Sequence, residues 1–437
     1  MPRLRSVPAV AAALLLGACV PRTVPPTVPP PPPAQPPTIV IPAEPPLAIT
    51  EAPPVRVGIL VDTPRVEIVA TAPLTISSTA SETTVGRAAA GERLTVAAAP
   101  GGRLRVTGST GAELASAPGP LLFRSQGDGM ITLGGKPYRG DVLVQSSTSG
   151  KVTAVNVVDM ETYLLGVVPF EIGKVGPELL EAAKAQAVAA RTYAIRYLGR
   201  REQLGFDVFA TVQDQVYGGA SGEHEPVSRA VRETAGEILT YRGEPIEAYY
   251  HSTCAGQTAA IEEVWNERPV PFLVSVVDVD PATGEAYDRS SSRFRWTQRW
   301  TAEQINSILA RTLRDSLPRG VASVGEVRDM RVLERTPSGR VRTMRIETTN
   351  GTFTVGRDRV RWILLTPAGV PLNSSKFDVE VVRGPGGRVT EVVATGGGWG
   401  HGIGMCQVGA MGRARAGQDY RTILGTYYPG TRIRDLY

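Results

Sequence analysis

Glycine occupies every even position from Gly396 to Gly404, with Gly397, Trp399, His401 and Ile403 between them and Met405, Cys406 and Gln407 following. Few local patterns restrict a chain more. In an extended strand successive side chains point to opposite faces, so the spacing predicts a strand with Trp399, His401, Ile403 and Met405 on one face and bare backbone on the other. Glycine within a strand marks close approach by another backbone or a ligand. The Trp399/His401 face is therefore expected to line a cleft. The glycine face is expected to pack tightly against a neighbouring element.

The rest of the 437-residue chain is long enough for two or three domains. Arg3 and Arg5 precede an apolar run, Val10–Leu16, that is too short to cross a bilayer and ends at Leu16-Gly17-Ala18-Cys19. This resembles a bacterial lipoprotein signal over residues 1–19, which implies a lipid on Cys19 and attachment to a membrane of the cell envelope. With Val20 in place of an aspartate, the resemblance implies the outer membrane where a cell has one. Residues 20–54 are proline-dominated, with an unbroken run from Pro29 to Pro33, and predict an extended, semi-rigid tether. The net charge of +5 is spread along the chain without a Lys/Arg block, which argues against nucleic acid as a partner.

Residues 55–147 read as a β-rich region of short runs, Val55–Val61, Val66–Val69, Leu94–Ala97, Leu104–Val106 and Leu121–Phe123, separated by turn residues. A hairpin is predicted from Asp141–Gln145 and Lys151–Val158, turning at Ser149-Gly150. The pattern then changes. After an apolar stretch, Leu165–Phe170, read as a strand, comes Glu171, and from Pro177 the sequence predicts a helix stopping near Gly199. Ala183, Ala187, Ala190 and Ala194 share one helix face, which allows close packing. Glu171, between Phe170 and Ile172, is a carboxyl in apolar surroundings and a candidate to hold a proton near neutral pH.

The segments VVPFEIG and LEAAKAQAVAARTYAIRY, then Gln215-Val216-Tyr217-Gly218-Gly219, AYYHSTCAGQT, the glycine-alternating stretch and Tyr427-Tyr428-Pro429-Gly430 resemble, in order, the SpoIID/LytB family of stage II sporulation protein D and the amidase enhancer. The resemblance implies an α+β fold over residues 148–437, a mixed sheet packed on the Ala-rich helix around a glycan cleft. It also implies peptidoglycan as partner, and no cofactor. In the sporulation protein D branch it implies lytic transglycosylase chemistry on peptide-stripped strands, with Glu171 as catalytic acid/base. One carboxyl suffices there, because the C6 hydroxyl of the muramyl sugar replaces water and closes a 1,6-anhydro ring; ordinary glycosidases need two. Lys184, Arg191, Tyr217, His251, Ser252, Thr253, Trp399, His401 and Gln407 are the implied substrate-binding set, Arg191 being able to orient Glu171 and Trp399 to stack on a sugar ring. The amidase-enhancer branch implies a different class: a non-catalytic binder that recruits or stimulates a cell-wall amidase.

If Tyr249–Cys254 is also a strand, the period of two places His251 on one face and Cys254 on the other, and it separates His401 from Cys406 likewise. On that basis His251 is expected to meet His401 in the cleft. Cys254 and Cys406 are expected to meet behind it as a disulfide, compatible with an oxidising envelope compartment. These four are good zinc ligands chemically, but the same parity argues against their convergence. A Cys/His cluster found in some family members before the Gln-Val-Tyr motif has no counterpart in Asp207–Asp214, so no structural zinc is expected in the protein. An α+β lobe inserted around residues 280–390 completes the reading, with a helix starting at Thr301 and strands at Asp329–Leu333 and Val341–Glu347.

Overall fold

The computed structural model describes residues 51–317 and 322–437. The signal and Cys19 lie outside them, as does nearly all of the tether. The described chain is a mixture of helices and six sheets, an α+β architecture.

Two sheets form the N-terminal part. One has seven strands in the order 208–209, 54–63, 152–159, 141–146, 121–125, 74–78, 83–88; the other has six, in the order 136–138, 131–133, 66–70, 93–99, 103–107, 113–118. Arg103-Leu104-Arg105-Val106 shows why these runs are strands: the leucine and valine are fully buried and the arginines are exposed. Residues 141–146 and 152–159 pair antiparallel, with Gln145 opposite Thr153. The short strand 208–209 pairs parallel to 54–63, and Asp207 beside it takes two hydrogen bonds from the Arg56 side chain.

Helix α1 (Met160–Glu171) starts directly from the strand 152–159, with the Asp159 carboxylate accepting from the Thr162 N–H at 3.0 Å. Residues 165–170 are thus helix rather than the expected strand. The reason is the cap: Asp159 ends the sheet and commits the following apolar run to a helix, even though Pro169 near its end cannot donate the bond to the Leu165 carbonyl. A turn opened by Pro177 leads into α2 (Leu180–Tyr197), which stops before Gly199 at φ +75°. Ala183, Ala187, Ala190 and Ala194 are all fully buried. Around α2 pack α1, α3 (Glu225–Glu233), the strand 237–241 and two later helices.

A second hydrophobic core spans Trp296 to Ala394, distinct from the one just described. The short α4 (Ile261–Val264) belongs to the first, burying Ile261 and Val264 in it. The second core is built by the sheets 296–301/389–396/377–383 and 327–335/341–348/351–355 with α5 (Ala302–Thr312) and α6 (Arg359–Ile363). Thr301 caps α5, accepting from the Gln304 N–H while the Gln304 side chain accepts from the Thr301 N–H. The chain then returns to the first core through α7 (Gln407–Arg415) and α8 (Tyr420–Tyr427).

The glycine stretch departs from expectation. The strand ends at Gly396, and Gly398, Gly400, Gly402 and Gly404 all take positive φ. Nor does its glycine side pack on α2. A β-carbon on Gly400 would stand 2.8 Å from that of His251, and one on Gly404 2.0 Å from the Tyr249 carbonyl oxygen. Alternating glycines thus serve a backbone winding against residues 249–253, where both the left-handed dihedrals and the closeness exclude side chains.

Candidate functional site

Glu171 is the last residue of α1. There the helix end, the loop before Tyr217, the strand 250–251 and the start of α7 converge. Oε1 accepts from the Val216 N–H at 2.8 Å, and Oε2 accepts from Gln407 Nε2 at 3.4 Å. The Tyr250 hydroxyl is a third donor. Burial nevertheless dominates and raises the Glu171 pKa above the usual carboxyl value, the three donors pulling weakly the other way. Behind the carboxyl runs a relay: Tyr163 donates to Gln215 Oε1 at 3.0 Å, and Gln215 Nε2 donates to the Tyr250 oxygen at 2.9 Å and to the Ala190 carbonyl at 3.2 Å. Gln407 Nε2 also reaches Gln186 Oε1 at 3.3 Å. Gln186 Nε2 is buried with no partner among the described residues, a donor aimed into the same region.

Among the expected residues, Gln407 alone touches this carboxyl through its side chain. Arg191 does not orient Glu171. It is fully buried and grips Glu161, with Nε to Oε1 at 2.7 Å and Nη2 to Oε2 at 2.6 Å, and it donates to the Glu237 and Val231 carbonyls. Lys184 pairs with Glu181 at 3.0 Å and Glu233 at 2.8 Å on the flank of α2. Tyr217 is buried, donating to Asn156 Oδ1 at 2.7 Å. Its role here is to hold the loop that presents Val216. Ser252 and Thr253 bond one another at 3.2 Å, and Thr253 continues to Ser291 at 2.8 Å. Tyr250, Gln215 and Gln186 lie within the motif segments but carried no assignment; the signal was a polar residue at a buried position of each.

His251 and His401 approach, with ring centroids 5.6 Å apart. His401 Nε2 donates to the Tyr250 carbonyl at 3.0 Å and its Nδ1 accepts from the Ile403 N–H at 3.1 Å, so its tautomer is set by backbone, and burial pulls its pKa down to about 4. His251 Nδ1 donates to the Ile403 carbonyl at 3.2 Å. Both histidines therefore brace the glycine winding. Trp399 is 47% exposed, with the Arg293 guanidinium 5.2 Å from its ring centre and its backbone bridged to Thr253. It offers a flat aromatic face to solvent.

Cys254 and Cys406 meet as expected, but strand parity does not keep His251 away from them. Regular pairing to 405–406 stops at His251, Thr253 bridges instead to Trp399, and Ala255 takes φ +58°. The chain therefore turns, and His251, Cys254 and Cys406 come together with ligand atoms within 4.8 Å of one another. Both cysteines are buried free thiols, so the expected disulfide is not formed in this structure. Elsewhere, a cleft of about 580 Å³ opens between Arg124, Asp128, Arg139 and Asp141; none of the expected site residues lines it.

Residues 148–241 match a family model described as stage II sporulation protein, and residues 282–404 match a domain of unknown function. An uncharacterised protein of Brachyspira hyodysenteriae is 33% identical over 317 residues, 72% of this chain and 76% of that one. Stage II sporulation protein D of Bacillus subtilis is 32% identical over 297 residues, covering 64% of this chain and 76% of the relative. The amidase enhancer of the same organism is 31% identical over 303 residues, 62% of this chain but 40% of the relative.

Proposed function

Since the chain belongs to the stage II sporulation protein D family, we propose that it is a peptidoglycan-processing protein of the cell envelope, and that its reaction is lytic cleavage of peptide-stripped glycan strands with Glu171 as the single acid/base. The observation that carries this is the environment of Glu171: a desolvated carboxyl that keeps its proton more readily than a free one, held by Val216, Tyr250 and Gln407. In the first half of the reaction the Glu171 carboxyl gives its proton to the bridging glycosidic oxygen as the muramyl C–O bond breaks. In the second half the carboxylate takes the proton of the C6 hydroxyl, whose oxygen bonds to the anomeric carbon and closes the 1,6-anhydro ring. Val216, Tyr250 and Gln407 donate to the carboxylate formed between the two transfers, and the exposed Trp399 face suits an adjoining sugar.

In this reading the lipid on Cys19 and the proline-rich segment hold the folded part at a membrane and let it reach the wall. A second reading rests on the relative named amidase enhancer: a glycan binder that stimulates a cell-wall amidase without cutting. The test is mass spectrometry of peptide-free glycan strands after incubation with the purified protein and with Glu171→Gln. Anhydro-ended products from the wild type alone support the lytic reading. Binding without cleavage by both proteins sinks it and makes amidase stimulation the next assay.

A further inference from the structure

Beside the Glu171 centre, on the far side of residues 405–407, lies a buried group that the proposed reaction does not use. We propose that His251, Cys254 and Cys406, with Asp288 as fourth ligand, form a closed zinc site that locks the glycine winding to residues 249–256. The three side chains bring Nδ1/Nε2 and Sγ atoms within 4.8 Å of one another, and Asp288 belongs to an overlapping group with Cys254 and Asp278. Zinc at about 2.3 Å from sulfur and about 2.0 Å from nitrogen needs ligand atoms roughly 3.5–3.8 Å apart, so His251 and the two cysteines need only a small contraction, and Asp288 Oδ2 stands 3.9 Å from Cys406 Sγ.

Three independent features favour an ion. First, His251 spends Nδ1–H on the Ile403 carbonyl, which leaves the Nε2 lone pair buried with no partner among the described residues; the residue is 4% exposed. A ligating imidazole is oriented in the same way, by its other nitrogen. Second, Cys406 Sγ accepts from the Cys254 N–H at 3.2 Å and the Gly409 N–H at 3.3 Å, and Asp288 accepts from the Ala255 and Gly256 N–H groups. These donors suit a thiolate and a carboxylate. Third, the charge balances. Two thiolates and Asp288 carry three negative charges against two on zinc, a difference that the cation of the fully buried Arg340, whose Nε and Nη2 have no partner among the described residues, would offset. Binding releases both thiol protons to solvent, and no redox change is involved.

The site is closed, so its role is to hold Cys406 and hence Gln407, the next residue, against Glu171. It stands apart from the reading of Glu171 as acid/base. The experiment is cobalt titration of the full-length protein, reduced and stripped with chelator, followed by optical absorption. Expected are a near-ultraviolet thiolate-to-cobalt charge-transfer band and tetrahedral visible bands that saturate at about one ion per chain and vanish on adding zinc. Cys254→Ser and Cys406→Ser should each weaken the charge-transfer band, and His251→Ala should lower affinity by about 10-fold or more. Glu171→Gln should leave the spectrum unchanged whether or not glycan is cut, which separates the two proposals. No band from wild-type protein with two titratable thiols would overturn the site without recourse to any variant. So would an intact mass lower by two hydrogens in protein taken from the envelope, or a band that persists with both cysteines replaced.

Discussion

At the scale of the residue, Glu171 shows burial outweighing hydrogen bonding. Because its folded pKa lies above the unfolded value, the folded state holds the proton more tightly, and that stabilisation is complete below the unfolded pKa and lost as pH rises through the folded one. Above that folded pKa the wild type carries a desolvated carboxylate that the neutral Glu171→Gln variant lacks. Urea unfolding should find wild-type stability falling relative to the variant as pH rises through the folded pKa, and the gap closing as pH falls below the unfolded one. A gap independent of pH would mean that desolvation does not govern this carboxyl. Gly404 is constrained differently. An alanine there meets both φ +70° and the Tyr249 carbonyl, so Gly404→Ala should cost about 2 kcal/mol or more in the same assay. Alanine at the open Gly351, where a β-carbon meets nothing within 4 Å, should cost no more than about 1 kcal/mol.

Among the elements, α2 is the one on which the others assemble, and Arg191 is its cross-link. Its guanidinium joins α2 to the first turn of α1 through Glu161, to the end of α3 through the Val231 carbonyl and to the strand 237–241 through the Glu237 carbonyl. Removing one partner of a buried pair leaves the other charge, and here two carbonyls, without compensation. Arg191→Ala should therefore lose about 3–5 kcal/mol in chemical denaturation. Arg191→Lys should recover only part of it, because an ammonium cannot reproduce the bidentate fork. A stability change within about 0.5 kcal/mol for either variant would contradict this account. The alanine face and the approximate ends of α2 were readable from spacing and from Pro177 and Gly199. The helical state of residues 165–171 was not, since an apolar run carries no period that separates a buried strand from a helix. The Asp159 cap decided it.

At the scale of the whole molecule, the described residues form two cores tied by a few buried polar links. Glu263, from α4, accepts from the Ser338 N–H at 3.0 Å and from its hydroxyl, and Arg357 donates to the Trp265 carbonyl at 2.9 Å. Glu263→Ala leaves a buried Ser338 N–H unpaired, at about 1–3 kcal/mol. Calorimetry should then show the single transition expected of the wild type broadening or splitting as the second core melts first. An unchanged, single transition would show that the apolar contacts alone couple the cores. The amino-acid order by itself determined what depends on local spacing: the short strands and the one hairpin of the N-terminal part, the alanine face of α2, the start of α5 at Thr301, and Glu171 as a carboxyl among apolar neighbours. Only the tertiary structure decided which polar groups meet. Arg191 went to Glu161 and Gln407 to Glu171, Tyr250 and Gln215 emerged behind the carboxyl, and His251 turned towards both cysteines. The physical reason is that strand parity holds only while the backbone stays extended. Four glycines at positive φ and Ala255 at +58° break that condition at the site itself, where close approach of two backbones, not local period, sets the path of the chain.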